Sequence, residues 1–312
     1  MPETLTIFAP AKVNLRLAVK DKRADGFHNL ESLFLAVNLG DVLRFTSAAE
    51  LCPHDKELCP SEAGYTISGV GLYDKIPPDK NIIIKALSLF KAKTGFSQNI
   101  NIYVDKRIPL GGGLGGGSSD AAAALLALNK LAGFPLDRQE LIGMGASLGS
   151  DVPFFLYETS AAWVTGRGEK IEPVDVPLLY LALVNPGFPS DTAHVFRLLD
   201  EYRKGTGDCG LGTGELGSGI RDLGSWTGDF RMKNDFLDVF DEHIKSIYLN
   251  IINQLMELGA KSANLSGTGS TCFGIFNERE QACKAVDVLR GKWAFAEVCQ
   301  TMYFDNDMGG YV

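Results

Sequence analysis

At 312 residues the chain exceeds a typical single core and fits two domains of ordinary size. Hydrophobic residues at 45% and charged residues at 22% are those of a soluble globular protein able to bury a sizeable core. A net charge of −8 argues against a broad basic surface for nucleic acid or anionic lipid and leaves room only for a local basic cleft. The opening residues carry Glu3 and lack the basic start and apolar core of a signal peptide. The longest apolar runs, 121–128 and 176–184, fall short of the roughly 20 residues that span a bilayer. Cysteines at 52, 59, 209, 272, 283 and 299 show no CxxC spacing and read as free thiols, so a cytoplasmic protein is expected.

In chain order, strand signals come first. Residues 5–8 form one short run, and in 12–19 Val13, Leu15, Leu17 and Val19 alternate against Lys12, Asn14 and Arg16. The alternation recurs at 100–104. It predicts an antiparallel or mixed sheet with one face packed and the other wet or lining a site. Helices are predicted at 81–92, at 119–131 closed by Gly133, and at 137–148 closed by Gly149. The second half places Ile244, Ile247, Tyr248, Ile251, Ile252 and Leu255 at helical spacing. A Gly-rich turn follows at 266–270, then an apolar strand at 271–276 and a helix at 279–289. Segments 47–64 and 205–228 read as insertions, and the domain boundary is expected near Glu172-Pro173, giving domains 1–172 and 173–312.

The most informative stretch is Pro109-Leu110-Gly111-Gly112-Gly113-Leu114-Gly115-Gly116-Gly117-Ser118-Ser119, followed by a run of strong helix formers. Glycine removes the Cβ that keeps a main chain from wrapping an anion, and a helix start presents unpaired N–H groups. A flexible linker is seldom flanked by both a strand and an Ala/Leu helix. Gly111, Gly113 and Gly116 satisfy G-x-G-x-x-G, yet that fold wants a buried apolar strand running into the first glycine, whereas Asp105-Lys106-Arg107-Ile108-Pro109 stands here. No Gly-Lys-Ser/Thr of a Walker loop follows. The reading left is a triphosphate cradle of another kind, with Ser118 or Ser119 on a phosphate oxygen or Mg²⁺.

Three segments in order, Pro10-Ala11-Lys12-Val13-Asn14-Leu15, the 109–119 loop and Leu265-Ser266-Gly267-Thr268-Gly269-Ser270, resemble the three motifs of the GHMP small-molecule kinases. Two more, at 23–30 and 149–155, resemble the branch whose acceptor is a cytidyl diphosphate ester of methylerythritol, on the non-mevalonate route to isoprenoid precursors. The resemblance implies a two-domain α+β fold with mixed or antiparallel sheets and the active site in the interdomain cleft. It implies ATP with Mg²⁺, transfer to the tertiary 2-hydroxyl, and a small-molecule partner rather than nucleic acid or membrane, in a monomer or homodimer.

Asp151 follows a Gly149-Ser150 turn and precedes an apolar run, where a carboxylate can be partly desolvated yet face a cleft. Its family counterpart takes the substrate proton, and Lys12 is expected beside it. A helix-capping or exposed aspartate, and an exposed lysine, are the ordinary alternatives. Asn14, two residues from Lys12 on the same strand face, suits a substrate hydrogen bond. The resemblance further implies a cytosine ring between Phe27 and Phe196, with His28 bonding the base and Thr192 nearby. The family commonly has tyrosine at Phe27, so stacking survives but a phenol hydrogen bond does not. Asn81 matches the adenine-pocket region, and Gly267, Thr268 and Gly269 close on the phosphates or the acceptor. Cys52, His54 and Cys59 lack zinc-type spacing. Kinases of the homoserine or mevalonate type, and a nucleotide sensor without catalysis, are the competing readings.

Overall fold

A computed structural model describes residues 4–48, 64–206 and 232–304. Strand β1 (Thr4–Lys22) runs antiparallel to β2 (His28–Ala48). The sequence suggests separate strands at 5–8 and 12–19; instead one strand runs through, with a register shift between Pro10 and Ala11, and that bulge absorbs the missing proline donor. Around β2 the first sheet adds β3 (Tyr65–Gly71), β4 (Asn99–Lys106), β5 (Ala161–Gly166) and β6 (Lys170–Pro173), in the order β3-β4-β2-β5-β6 with β1 also on β2. Only β3 and β4 pair in parallel, so the sheet is mixed, as the alternation suggested.

Helices α1 (Ile82–Thr94), α2 (Gly116–Leu131), α3 (Arg138–Leu148) and α4 (Val152–Leu156) share one core with Phe34, Phe45, Ile102 and Val104 of that sheet. Ala121 through Ala124 of α2 are fully buried. Their small side chains let the helix start approach β1 closely. The helix begins at Gly116, three residues earlier than helix propensity suggests. A Cβ at Gly116 would stand 2.9 Å from Ile108 Cγ2, so close packing rather than propensity selects glycine there.

The second sheet runs β10-β7-β9-β8, all antiparallel: β7 (Tyr180–Asn185), β8 (Ser262–Leu265), β9 (Cys272–Phe276) and β10 (Phe295–Gln300). Alternation along β7 divides its side chains between two cores. Ala182 and Val184 meet the core of α6 (Glu242–Glu257) and α7 (Arg279–Leu289), while Leu181 and Leu183 join Val13, Leu15, Leu33 and Leu35 of the first sheet. Helix α5 (Thr192–Thr206) packs Val195 and Leu199 on Leu17 and Val19. The first sheet thus ends at Pro173, the second starts at Tyr180, and an apolar layer joins them. Most of the 47–64 and 205–228 segments, with Cys52, His54 and Cys59, lie outside the described residues.

Candidate active site

Burying Val13 and Leu15 in the layer between the sheets turns Lys12 and Asn14 the other way, Lys12 toward the starts of α2 and α4 and Asn14 toward Ser32 and Ser266. Lys12 and Asn14 are each only 3% exposed. The Lys12 ammonium donates to Asn14 Oδ1 at 2.7 Å and to the Gly113 carbonyl at 3.1 Å, and lies 3.3 Å from Asp151 Oδ2. Its three N–H donors match these three acceptors, and its charge also sits 4.6 Å from the Phe34 ring centroid. Lys12 and Asp151 are therefore neighbours, with the lysine buried rather than exposed. Asp151 stands at the N-cap position of α4, but its side chain makes no cap hydrogen bond and is 29% exposed. The carboxylate is held by the lysine and open to the cleft, not spent on the helix.

The glycine loop is docked through its carbonyls. Gly111 O accepts from Ser190 N at 2.9 Å, Gly112 O from Thr271 N at 3.1 Å, and Gly113 O from Ser266 Oγ at 3.0 Å as well as from Lys12. Gly113 has φ +75°, and a Cβ there would stand 2.1 Å from the Ser266 carbonyl oxygen. Glycine is required by both the backbone conformation and the contact. Gly115, at φ +70°, is the N-cap of α2, whose first intrahelical bond joins Ser119 N to Gly115 O. The N–H groups of Gly116, Gly117 and Ser118 then lack an intrahelical acceptor by helix geometry. Together with the helix dipole they make an anion site.

Beneath the loop lies a buried ion cluster that sequence reasoning missed. Lys106, the last residue of β4, bonds Asp41 and, at 2.7 Å, Asp120 in the first turns of α2, and all three are almost wholly buried. Asp41 Oδ1 also accepts from the amides of Arg107 and Ile108. The cluster ties β2, the loop entry and the helix start to one another. Burial raises the Asp120 carboxyl to about 7, against the pull of Lys106 and with a further push from Asp41. A charged residue heading an otherwise apolar alanine run was the available signal.

Beside the loop, Thr192 and Thr268 share a hydroxyl contact of 3.1 Å, and Asn14 Nδ2 donates to Ser32 Oγ at 2.9 Å. The Phe196 ring stacks on His28 at 5.2 Å and 23°. A third ring between them would need about 7 Å, two van der Waals separations, so a base cannot enter there. Phe27 is 50% exposed, with Arg167 5.0 Å from its ring, and among the described residues no ring contact joins it to Phe196.

A cavity of about 480 Å³ collects most of the residues singled out from sequence. Lys12, Asn14, Asn81, every residue from Pro109 to Ser118, Asp151, Thr192, Phe196, Gly267 and Thr268 line it. Phe27, His28, Ser119 and Gly269 do not. Ser119 is fully buried with an unpartnered hydroxyl on the inner face of α2, so Ser118 is the hydroxyl that reaches the cavity. Asn81 caps α1, accepting from Ile83 N at 3.0 Å. Lys106, Asp120, Ile76, Ile82 and Phe236 are wall residues without a sequence motif. An anion cradle, a lysine-held carboxylate and an apolar end share one cleft, which is what phosphoryl transfer to a hydroxyl requires.

Fold and site define a GHMP small-molecule kinase. Residues 81–159 match the family described as GHMP kinases N terminal domain, and residues 244–294 match GHMP kinases C terminal. The chain is 36% identical to 4-diphosphocytidyl-2-C-methyl-D-erythritol kinase of Thermodesulfovibrio yellowstonii, over 96% of this chain and 98% of the relative, and 35% identical to that of Alcanivorax borkumensis, over 98% and 94%. A crystal structure of 4-(cytidine 5'-diphospho)-2C-methyl-D-erythritol kinase superposes with a TM-score of 0.75 at 29% identity, covering 95% of this chain and 98% of the other. A homoserine kinase from Cytophaga hutchinsonii, at 19% identity and a TM-score of 0.66, shares the fold. The chain belongs to the 4-diphosphocytidyl-2-C-methyl-D-erythritol kinase family. Among the described residues no helix is long and apolar enough to cross a membrane.

Proposed function

We propose that this chain transfers the γ-phosphate of ATP to the 2-hydroxyl of 4-diphosphocytidyl-2-C-methyl-D-erythritol, on the non-mevalonate route to isoprenoid precursors. The observation that carries the residue assignment is the Lys12–Asp151 pair, 3.3 Å apart and bonded through Lys12 to the glycine loop itself. Asp151 accepts the hydroxyl proton as the oxygen attacks, a role worth about 10²–10⁴ in rate. Lys12 favours the ionised carboxylate and stabilises charge on the phosphoryl oxygens. The amides at the start of α2 hold the β- and γ-phosphates, and Asn81 and Lys106 bound the nucleotide side of the cavity.

Mg²⁺ takes oxygen ligands, keeps several waters and rides on the nucleotide phosphates with one or two protein groups. The Ser118 hydroxyl and the Asp151 carboxylate, both on the cavity wall, fit that need. The ion supplies charge neutralisation of the phosphates. For the acceptor, Asn14, Gly267 and Thr268 border the polyol and diphosphate, while Gly269, off the cavity wall, shapes the turn that presents them. Phe196 and Thr192 mark the cytosine end, and Phe27, half-exposed on the β1–β2 turn, has the freedom to fold over the base from solvent. Residues 1–172 and 173–312 act as two lobes around this cleft, in the cytoplasm.

Acceptors of the homoserine and mevalonate kinases carry no base for Phe196 and Phe27 to hold. ADP release by the purified protein with ATP and the cytidyl substrate, homoserine or mevalonate decides the matter. Turnover with the cytidyl substrate alone is expected; preferred turnover of either small acceptor overturns the proposal.

A further inference from the structure

The imidazole of His28 is clamped by two residues one helical turn apart. On α5, Phe196 stacks on the ring at 5.2 Å, and Asp200, four residues on and hence on the same helix face, lies 2.7 Å from Nε2. Lys22 holds the same carboxylate through Oδ2 at 2.5 Å. Burial alone would raise the Asp200 carboxyl, but the hydrogen bonds from Lys22 and His28 outweigh it and bring it below its ordinary value. The carboxylate is ionised and accepts only.

An acceptor-only partner on Nε2 fixes where the proton of a neutral imidazole resides. Nε2 carries the hydrogen, and Nδ1, across the ring, presents a lone pair. Among the described residues Nδ1 has no hydrogen-bond partner, and it is not among the buried unpartnered atoms. The ring is not itself on the cavity wall but packs directly behind it, since its stacking partner Phe196 and Leu30, two residues along β2, both line the cavity at its base end.

We propose that Asp200 is a positioning residue that sets the His28 tautomer, so that Nδ1 accepts from the 4-amino group of a cytosine and rejects the 4-keto oxygen of a uracil. The inference rests on the cytidyl reading above. Lys22 completes the device by keeping the carboxylate charged and aimed at Nε2. A lone pair facing a keto oxygen leaves both acceptors unmatched in a partly dry site. Sites that hydrogen-bond a substrate in this way reject the mismatched analogue by about 10²-fold or more.

The test uses the full chain and has two arms. Nitrogen-15 NMR of the imidazole in the wild-type protein should show His28 as the Nε2–H tautomer; an Nδ1–H tautomer overturns the proposal. In kinetics, Asp200→Ala and the isosteric Asp200→Asn should lower the ratio of kcat/KM for the cytidyl over the uridyl acceptor by tenfold or more. The change should fall on KM, with kcat within threefold, and Asp200→Glu should restore part of the ratio. A ratio unchanged in both variants overturns the proposal, whereas a merely structural Asp200 would lower both acceptors alike. If the wild type turns over neither nucleotide acceptor, the cytidyl reading itself fails, and the same NMR measurement on Asp200→Asn still decides whether Asp200 sets the tautomer: an Nε2–H population unchanged from the wild type overturns it. If Asp200→Ala does not fold, Asp200→Asn carries the kinetic arm.

Discussion

Replacing Gly113 with alanine isolates the junction between the phosphate loop and the second sheet. The new Cβ would lie 2.1 Å from Ser266 O and 2.9 Å from Gly269 O. An ordinary carbon–oxygen contact is about 3.3 Å, so the backbones must part by about 1 Å. The Ser266 side cannot yield easily, because the residue is fully buried and its amide is bonded to Thr271 O at 2.9 Å. Holding alanine at φ +75° adds about 1–2 kcal/mol to about 1–3 kcal/mol of overpacking. A fall of about 5 °C or more in Tm follows, read by calorimetry. Because Gly113 O also receives Lys12, a shift of about 1 Å should lower kcat/KM about 100-fold in a coupled ADP assay. Gly117→Ala is the control: its Cβ meets only Ile82 Cγ2, at 3.7 Å, and the protein without nucleotide should melt no lower than the wild type. A Gly113→Ala protein with wild-type Tm and kcat/KM within threefold would refute the reasoning.

The Asp120 carboxyl, raised to about 7 from 3.8, keeps a proton in the folded protein that the unfolded chain releases at lower pH. Stability should therefore fall as pH rises from about 4 to about 7 and level off above. Asp120→Asn, which retains an oxygen for Lys106, should flatten that slope in urea melts at pH 5 and pH 8; an unaltered slope contradicts it. Phe196→Ala removes contacts with both His28 and Phe236 and should cost about 2 kcal/mol of stability as well as raising KM for the cytidyl substrate about tenfold. Phe27→Ala, at a half-exposed position, should raise KM with Tm nearly unchanged. An unaltered KM in both variants removes the aromatic assignment.

Much of this was legible because local patterns carry it. The alternation of Val13 and Leu15 against Lys12 and Asn14 placed the lysine on a face of its own. The glycine run beside a helix-forming segment placed the anion site. Burial of that polar face was not legible, since it depends on α2 and α4 folding back over β1, a contact between residues 100 and more apart. The Lys106–Asp41–Asp120 cluster escaped for the same reason: its members come from two strands and a helix, and no spacing announces them. The cytosine end was read from motif resemblance, which supplies residue types but not partners. Hence the stacking of His28 on Phe196 and its bond to Asp200 emerged only in three dimensions. Ser118 and Ser119 look alike in sequence, yet helix periodicity sends one to the cavity and the other inward.

The central claim is that Asp151, held by Lys12, takes the proton of the attacking hydroxyl. Asp151→Asn keeps the size and the contact with Lys12 but removes the base. Single-turnover transfer from γ-³²P-ATP to the cytidyl substrate measures the chemical step alone. The rate should drop by about 10²–10⁴ with binding of both substrates intact. A transfer rate within threefold of the wild type would contradict the account.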